Sequence, residues 1–203
     1  MTSPLDAALL DVRKAYRLLA DYQQRILELL AFIRNELGAV HYHQHLRNKP
    51  PRSLGGLELD HSGGARLLPF NDVSVLWLRA NGQDDPANQH RAGDLLIDVW
   101  VRSDNGNGTE KGPARSPEQS LSELRIYFFL CTEDTQENTN WYYQVWSGTN
   151  YPPLGSVAPC DSHPSYQAYG EAVPLAAMAD ETAARASLQA LRARASAQLG
   201  GTI

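Results

Sequence analysis

Residues 94–102, DLLIDVWVR, and 123–131, ELRIYFFLC, decide how this chain folds. In the first run Leu95, Ile97, Val99 and Val101 occupy alternate positions, and in the second Leu124, Ile126, Phe128 and Leu130 do the same. Side chains two apart on a strand point to one side, so each run builds an apolar face, and the β-branched and aromatic content suits a pleated surface. Val73–Arg79 (VSVLWLR), 141–147 (WYYQVWS) and 166–173 (YQAYGEAV) share this character, which predicts about five strands. No helical pattern intervenes between successive runs, so they are expected to pair as an antiparallel meander. A short hairpin is predicted for 57–59 and 65–68 across the DHSGG of 60–64.

Outward from the sheet the period changes. Ser3-Pro4-Leu5-Asp6 reads as an N-cap, a proline at the first helical position and an acid in the first turn. Leu9, Val12, Tyr16, Leu19, Gln23, Ile26, Leu30, Ile33 and Leu37 then follow at steps of three and four, and Gly38 is a natural stop. The spacing predicts a helix over 4–37, about 50 Å long at 1.5 Å per residue, more than a small sheet covers. Part of its stripe therefore meets another helix. That helix is the C-terminal one, predicted over 180–199 from an Asp180 cap and from Ala184, Leu188, Leu191, Ala195 and Leu199, or the same helix of a second copy, and one assembly can hold both pairings. The whole is a single α+β domain, an antiparallel sheet flanked by a long N-terminal and a C-terminal helix. Residues 81–92, 103–120 and 148–165 read as loops. The second, rich in Gly, Asn and Ser, is expected to be flexible, and the third has apolar anchors around four prolines.

Composition narrows the function classes. Eighteen Lys and Arg against 23 Asp and Glu give a net charge of -5, which argues against a broad nucleic-acid footprint. The apolar run at 126–131 is far short of the ~20 residues a membrane helix needs, so no membrane partner is expected. Two cysteines in 203 residues make no disulfide framework, and the first residues lack the basic start and apolar core of a secretory signal. A cytoplasmic protein is the expectation. No Walker A sequence and no GxGxxG follow a strand, and no cofactor is expected.

Three constellations could carry chemistry. His41, His43 and His45 would project to one side of an extended segment, and Cys160 and His163, spaced as CxxH, could complete a transition-metal site with them. The plainer alternative has the histidines decorating the exit from the first helix. On the sheet, Asp94 and Asp98 share a face with Trp100 and Arg102, and Glu123 and Arg125 share the corresponding face of the next strand. Clustered carboxylates can hold a divalent ion that activates water. Asp98 with Glu123-Leu124-Arg125 resembles the PD-(D/E)xK nuclease core over four positions, departing from it in Arg125 for lysine and in the missing proline. The resemblance implies metal-binding acids. The alternative is a cross-strand salt bridge. Third, Trp100, Tyr127 and Trp146 belong to an aromatic set that either fills a core or lines a ligand groove.

These readings favour a binding or assembly protein, acting on a protein partner or on itself through the helix stripe or the aromatic sheet face. The alternative is a metal-dependent hydrolase or nuclease using the sheet acids or the histidines.

Overall fold

The computed structural model describes residues 4–46, 68, 70–106, 115–135, 138–161 and 163–203. The chain forms two compact units, residues 1–33 and 34–203. The predicted hairpin at 57–68, the Ser3 cap and the middle of the 103–120 loop lie outside the described residues.

The first unit is most of α1, a continuous helix over Pro4–Glu36. Ile26, Leu30 and Ile33 are its buried residues, whereas every residue from 4 to 18 is exposed. The helix stops as the glycine foretells. Gly38 takes φ +62°, its N–H bonds the Asn35 carbonyl, and the Ala39 N–H reaches the Arg34 carbonyl, so orphan carbonyls of the last turn are satisfied.

The second unit is built on a six-stranded antiparallel sheet of order β1-β2-β3-β4-β6-β5. Its strands are β1 Val40–Leu46, β2 Val73–Arg79, β3 Leu95–Arg102, β4 Glu123–Cys131, β5 Val157–Cys160 and β6 His163–Pro174. The α+β architecture is as expected, with an antiparallel sheet, a long N-terminal helix and a C-terminal helix. The strand count differs, because 40–46 and 157–160, read as helix exit and loop, are the two edge strands.

One expected strand is helical. Residues Trp141–Trp146 form a π-helical turn, capped by Asn140, whose side-chain oxygen accepts from the Tyr142 and Tyr143 N–H groups at 3.0 Å each. Trp141 and Val145 are buried while Tyr143 is 73% exposed. Burial thus repeats at i and i+4, and the cap overrides the β-propensity of the aromatics.

Every residue of β3 is buried, so the sheet is covered on both sides. Leu95, Ile97, Val99 and Val101 pack with Leu124, Ile126, Phe128 and Leu130 on one face, as predicted. The helix α2, Glu181–Leu199, lies on β6, where Arg194 grips Glu171 at 2.7 to 3.2 Å. Its Asp180 side chain accepts from the Ala183 N–H at 2.9 Å and Gly200 ends it at φ +69°. Ala184, Leu188, Leu191, Ala195 and Leu199 are all buried. On the opposite face Leu76, Leu96, Trp100, Tyr127 and Phe129 join Trp141, Val145, Cys160 and Tyr166 in a second apolar cluster.

Candidate functional site

Asp98 stands in the middle of that second face, opposite Leu76 on β2 and Tyr127 on β4, and is fully buried. A carboxyl group in such a place needs donors. They come from the segment crossing the face: Asp98 Oδ2 accepts from Trp146 Nε1 at 2.9 Å and from the Tyr151 hydroxyl, and Trp146 Nε1 also reaches the Tyr151 oxygen at 3.0 Å. The Tyr151 ring sits 4.3 Å from that of Tyr127 and 5.9 Å from that of Trp100. Gly170, opposite Tyr127 on β6, makes room for this stack, since a Cβ there would lie 2.1 Å from the Tyr127 ring. Trp100 donates its indole N–H to Asp72, with the Arg102 and Arg125 guanidinium groups 5.1 and 5.2 Å from its ring centroid. The aromatic face that sequence presents as a possible groove is thus occupied by the chain's own Tyr151 and Trp146.

The sheet acids do not converge. Asp94 and Asp98 are four residues apart along one extended segment, about 13 Å at ~3.3 Å per residue. Asp94 serves the loop before β3, accepting from the Asn81 N–H at 2.9 Å, the Arg91 N–H at 2.7 Å and the Gln83 amide. Glu123 faces Arg102 across the strands at 3.4 Å and bonds Arg125 Nε at 2.9 Å. The salt-bridge alternative therefore describes Glu123, Arg102 and Arg125.

The histidines sit on β1, and a bulge between His41 and His43 alters their facing. His41 pairs with Trp77 and His43 with Leu76, neighbours on β2 whose side chains point to opposite faces, so the three imidazoles are not on one side. His43 lies 4.1 Å from the Tyr142 ring, and His45 Nδ1 is 3.3 Å from the Tyr142 hydroxyl. Cys160 and His163 pair with each other on β5 and β6, at the opposite edge of the sheet from β1. Burial pushes the Cys160 thiol up to about 11, against the thiolate that a metal ligand would have to be. Among the described residues no group of three or more His, Cys, Asp or Glu side chains could hold a metal ion.

Sequence reasoning passed over His90, which lies in a stretch read only as polar loop. It is 2% exposed, stacks on Trp141 with centroids 4.1 Å apart, and places Nδ1 2.6 Å from the Tyr166 hydroxyl and Nε2 3.2 Å from the Ala87 carbonyl. Burial holds its pKa below the ordinary imidazole value, with the Ala87 carbonyl, Asp94 and Asp85 pulling the other way. Burial likewise raises Tyr166 and sends the Cys131 thiol up to about 11. Beside His90 a cleft of about 320 Å³ is lined by Gln83, Arg91, Asp134 and Thr135. The signal that could have found His90 is weak, a single aromatic-sized polar residue ahead of a buried strand.

The remaining candidate is the N-terminal helix. Leu9, Val12 and Tyr16, three consecutive members of its apolar stripe, are 45%, 49% and 72% exposed. Ala8 and Ala15 flank the stripe on one side, and Asp6 and Arg13 on the other. No helix among the described residues is long and apolar enough to cross a membrane.

Comparison with known proteins gives one full-length likeness. The chain is 40% identical over 205 residues to a Pasteurella multocida (strain Pm70) protein described as uncharacterized protein PM0109, and the match covers 98% of each chain. No solved structure matches. A family model described as PM0109 matches residues 2–200, the helix and the sheet together, and on that match the chain belongs to the PM0109 family.

Proposed function

We propose that this protein is an assembly module that receives a helix of a protein partner on the N-terminal half of α1. One observation carries the reading: an apolar stripe at steps of three and four runs through 4–18, where every residue is exposed. A helix face of that kind buries its stripe against another helix when it functions. The sheet-face version has less support, because Tyr151 and Trp146 already occupy the ground between Trp100 and Tyr127. The hydrolase alternative loses support too, since among the described residues Asp94, Asp98 and Glu123 belong to no group of three or more side chains that could hold a metal ion. A reducing cytoplasm suits the two free, buried thiols Cys131 and Cys160.

The test is site-specific photocrosslinking in cells carrying the full chain. A photoreactive residue at Val12, on the stripe, is expected to give a discrete adduct, and the same residue at Lys14, on the polar side, is expected to give none. Equal adducts from both positions, or none from either, would overturn the reading.

A further inference from the structure

We propose that the helix seated on this face is the same segment of a second copy of the chain, running antiparallel; this rests on the assembly reading above. The charges beside the stripe favour that direction. With Leu9 and Tyr16 at the a positions of a heptad and Leu5 and Val12 at the d positions, Asp6 and Arg13 both fall at e, and Ala8 and Ala15 fall at g. In a parallel pair e faces g of the other helix, where alanine offers no charge. In an antiparallel pair e faces e, so an acid and a base of one copy can meet a base and an acid of the other. The segment is complementary to itself only in the antiparallel sense.

The same two residues select the register. When Leu9 of one copy meets Val12 of the other, and Leu5 meets Tyr16, Asp6 of each copy lies beside Arg13 of the other, offset by about 3 Å along the axis at 1.5 Å per residue. Sliding one heptad towards the N-terminus would set Asp6 against Asp6. Sliding one heptad the other way would set Arg13 against Arg13. Both alternatives place like charges across the seam. The favoured register also pairs 4–17 with itself, which coincides with the part of α1 that is exposed from end to end. The extent of the exposed surface and the charge pattern are independent observations, and they agree on one arrangement. Alanines at the g positions leave the other flank narrow, which lets the two backbones approach.

Charge exchange tests this directly on the full chain, by sedimentation over a range of concentrations. Asp6→Arg alone puts Arg beside Arg at both contacts, and Arg13→Asp alone puts Asp beside Asp. Each variant is expected to dimerise about tenfold more weakly than the wild type. Mixed in equal amounts they are expected to form a heterodimer of near wild-type strength, since both contacts are then complementary. Single variants that associate like the wild type, or a wild type that stays monomeric at every concentration, would overturn the proposal.

Reversing an acid near a helix start can itself fray the helix, so a second measurement is needed. Under mild oxidation Leu9→Cys mixed with Val12→Cys should form a mixed disulfide faster than either forms a disulfide alone. A Leu9→Cys variant that crosslinks to itself fastest would indicate a parallel pair and would also sink the proposal. In the photocrosslinking experiment the expected Val12 adduct has twice the mass of the chain. A discrete adduct of another mass would refute the second copy while leaving the assembly reading intact, whereas the absence of any adduct would refute both.

Discussion

Replacing Asp98 with Asn keeps the shape of the side chain and removes its charge, which separates three accounts of the residue. From sequence, Asp98 would belong to a partly solvated salt bridge, and such a pair is worth roughly 0 to 1 kcal/mol. As a member of an acidic metal cluster it would repel its neighbours, and the substitution would stabilise the unliganded fold. The structure gives a third answer. Asp98 is fully buried and accepts from an indole N–H and a phenol O–H. Hydrogen bonds to a charged group contribute about 1.5 to 3 kcal/mol each, and Asn turns an amide N–H₂ towards one of the two donors. Asp98→Asn should therefore cost about 2 to 4 kcal/mol, which in a chain of this length lowers Tm by roughly 4 to 16 °C. Urea unfolding followed by tryptophan fluorescence and far-ultraviolet circular dichroism measures it. Tyr151→Phe removes one donor and keeps the ring on Tyr127, so it should cost less. Introduced on top of Asp98→Asn it should cost less still, with a coupling of about 1 kcal/mol between the two sites. A loss under 1 kcal/mol for Asp98→Asn, or strict additivity with Tyr151→Phe, would refute the clamp, and a gain in stability would revive the acidic cluster.

Other substitutions probe the rest of the frame. Gly170→Ala should destabilise by about 1 to 3 kcal/mol by driving a methyl into the Tyr127 ring, and a crystal structure or unfolding curve unchanged by it would contradict the packing. Because burial lowers the His90 pKa from the ordinary 6.5, the unfolded chain binds its proton first as pH falls. The stability from neutral His90 is complete above 6.5 and is lost as pH drops from there through the folded value; Tm measured at pH 7.5 and 5.5 should show a fall that is smaller in His90→Gln. Along α1, Ile26→Ala should cost about 2 to 5 kcal/mol, whereas Leu9→Ser should leave the stability of a dilute sample within about 0.5 kcal/mol of wild type, both by urea titration.

What sequence conveyed depended on whether one interaction dominated at each position. The runs 95–101 and 124–130 were legible because burial and β-propensity agree at every alternate residue, and α2 was legible because cap, period and terminal glycine agree. At Trp141–Trp146 they disagree. The residue types favour a strand, but Asn140 offers its oxygen to two amides, and the buried pair Trp141 and Val145 follows the helical period. The edge strand β1 was obscured by composition, since an HYHQH run has none of the alternation that a strand with one deeply buried face displays, and β5 by the prolines around it.

The site was harder to read than the fold, and Asp98 shows why. Alternation placed its side chain on the face opposite the aliphatic row of Leu95, Ile97, Val99 and Val101, but could not tell whether water or protein lay above it. The covering segment is some fifty residues further along, and its two donors, Trp146 and Tyr151, are the type of residue that also fills apolar cores. An acid alone in an apolar strand is ambiguous until its donors are located, because a metal, a solvent-facing pair and a buried clamp all begin from the same carboxyl group. The α1 stripe presented the reverse ambiguity. Its period was plain, yet Leu9, Val12 and Tyr16 follow the same rule as Ile26, Leu30 and Ile33, and spacing alone does not tell that the first three are exposed and the last three buried.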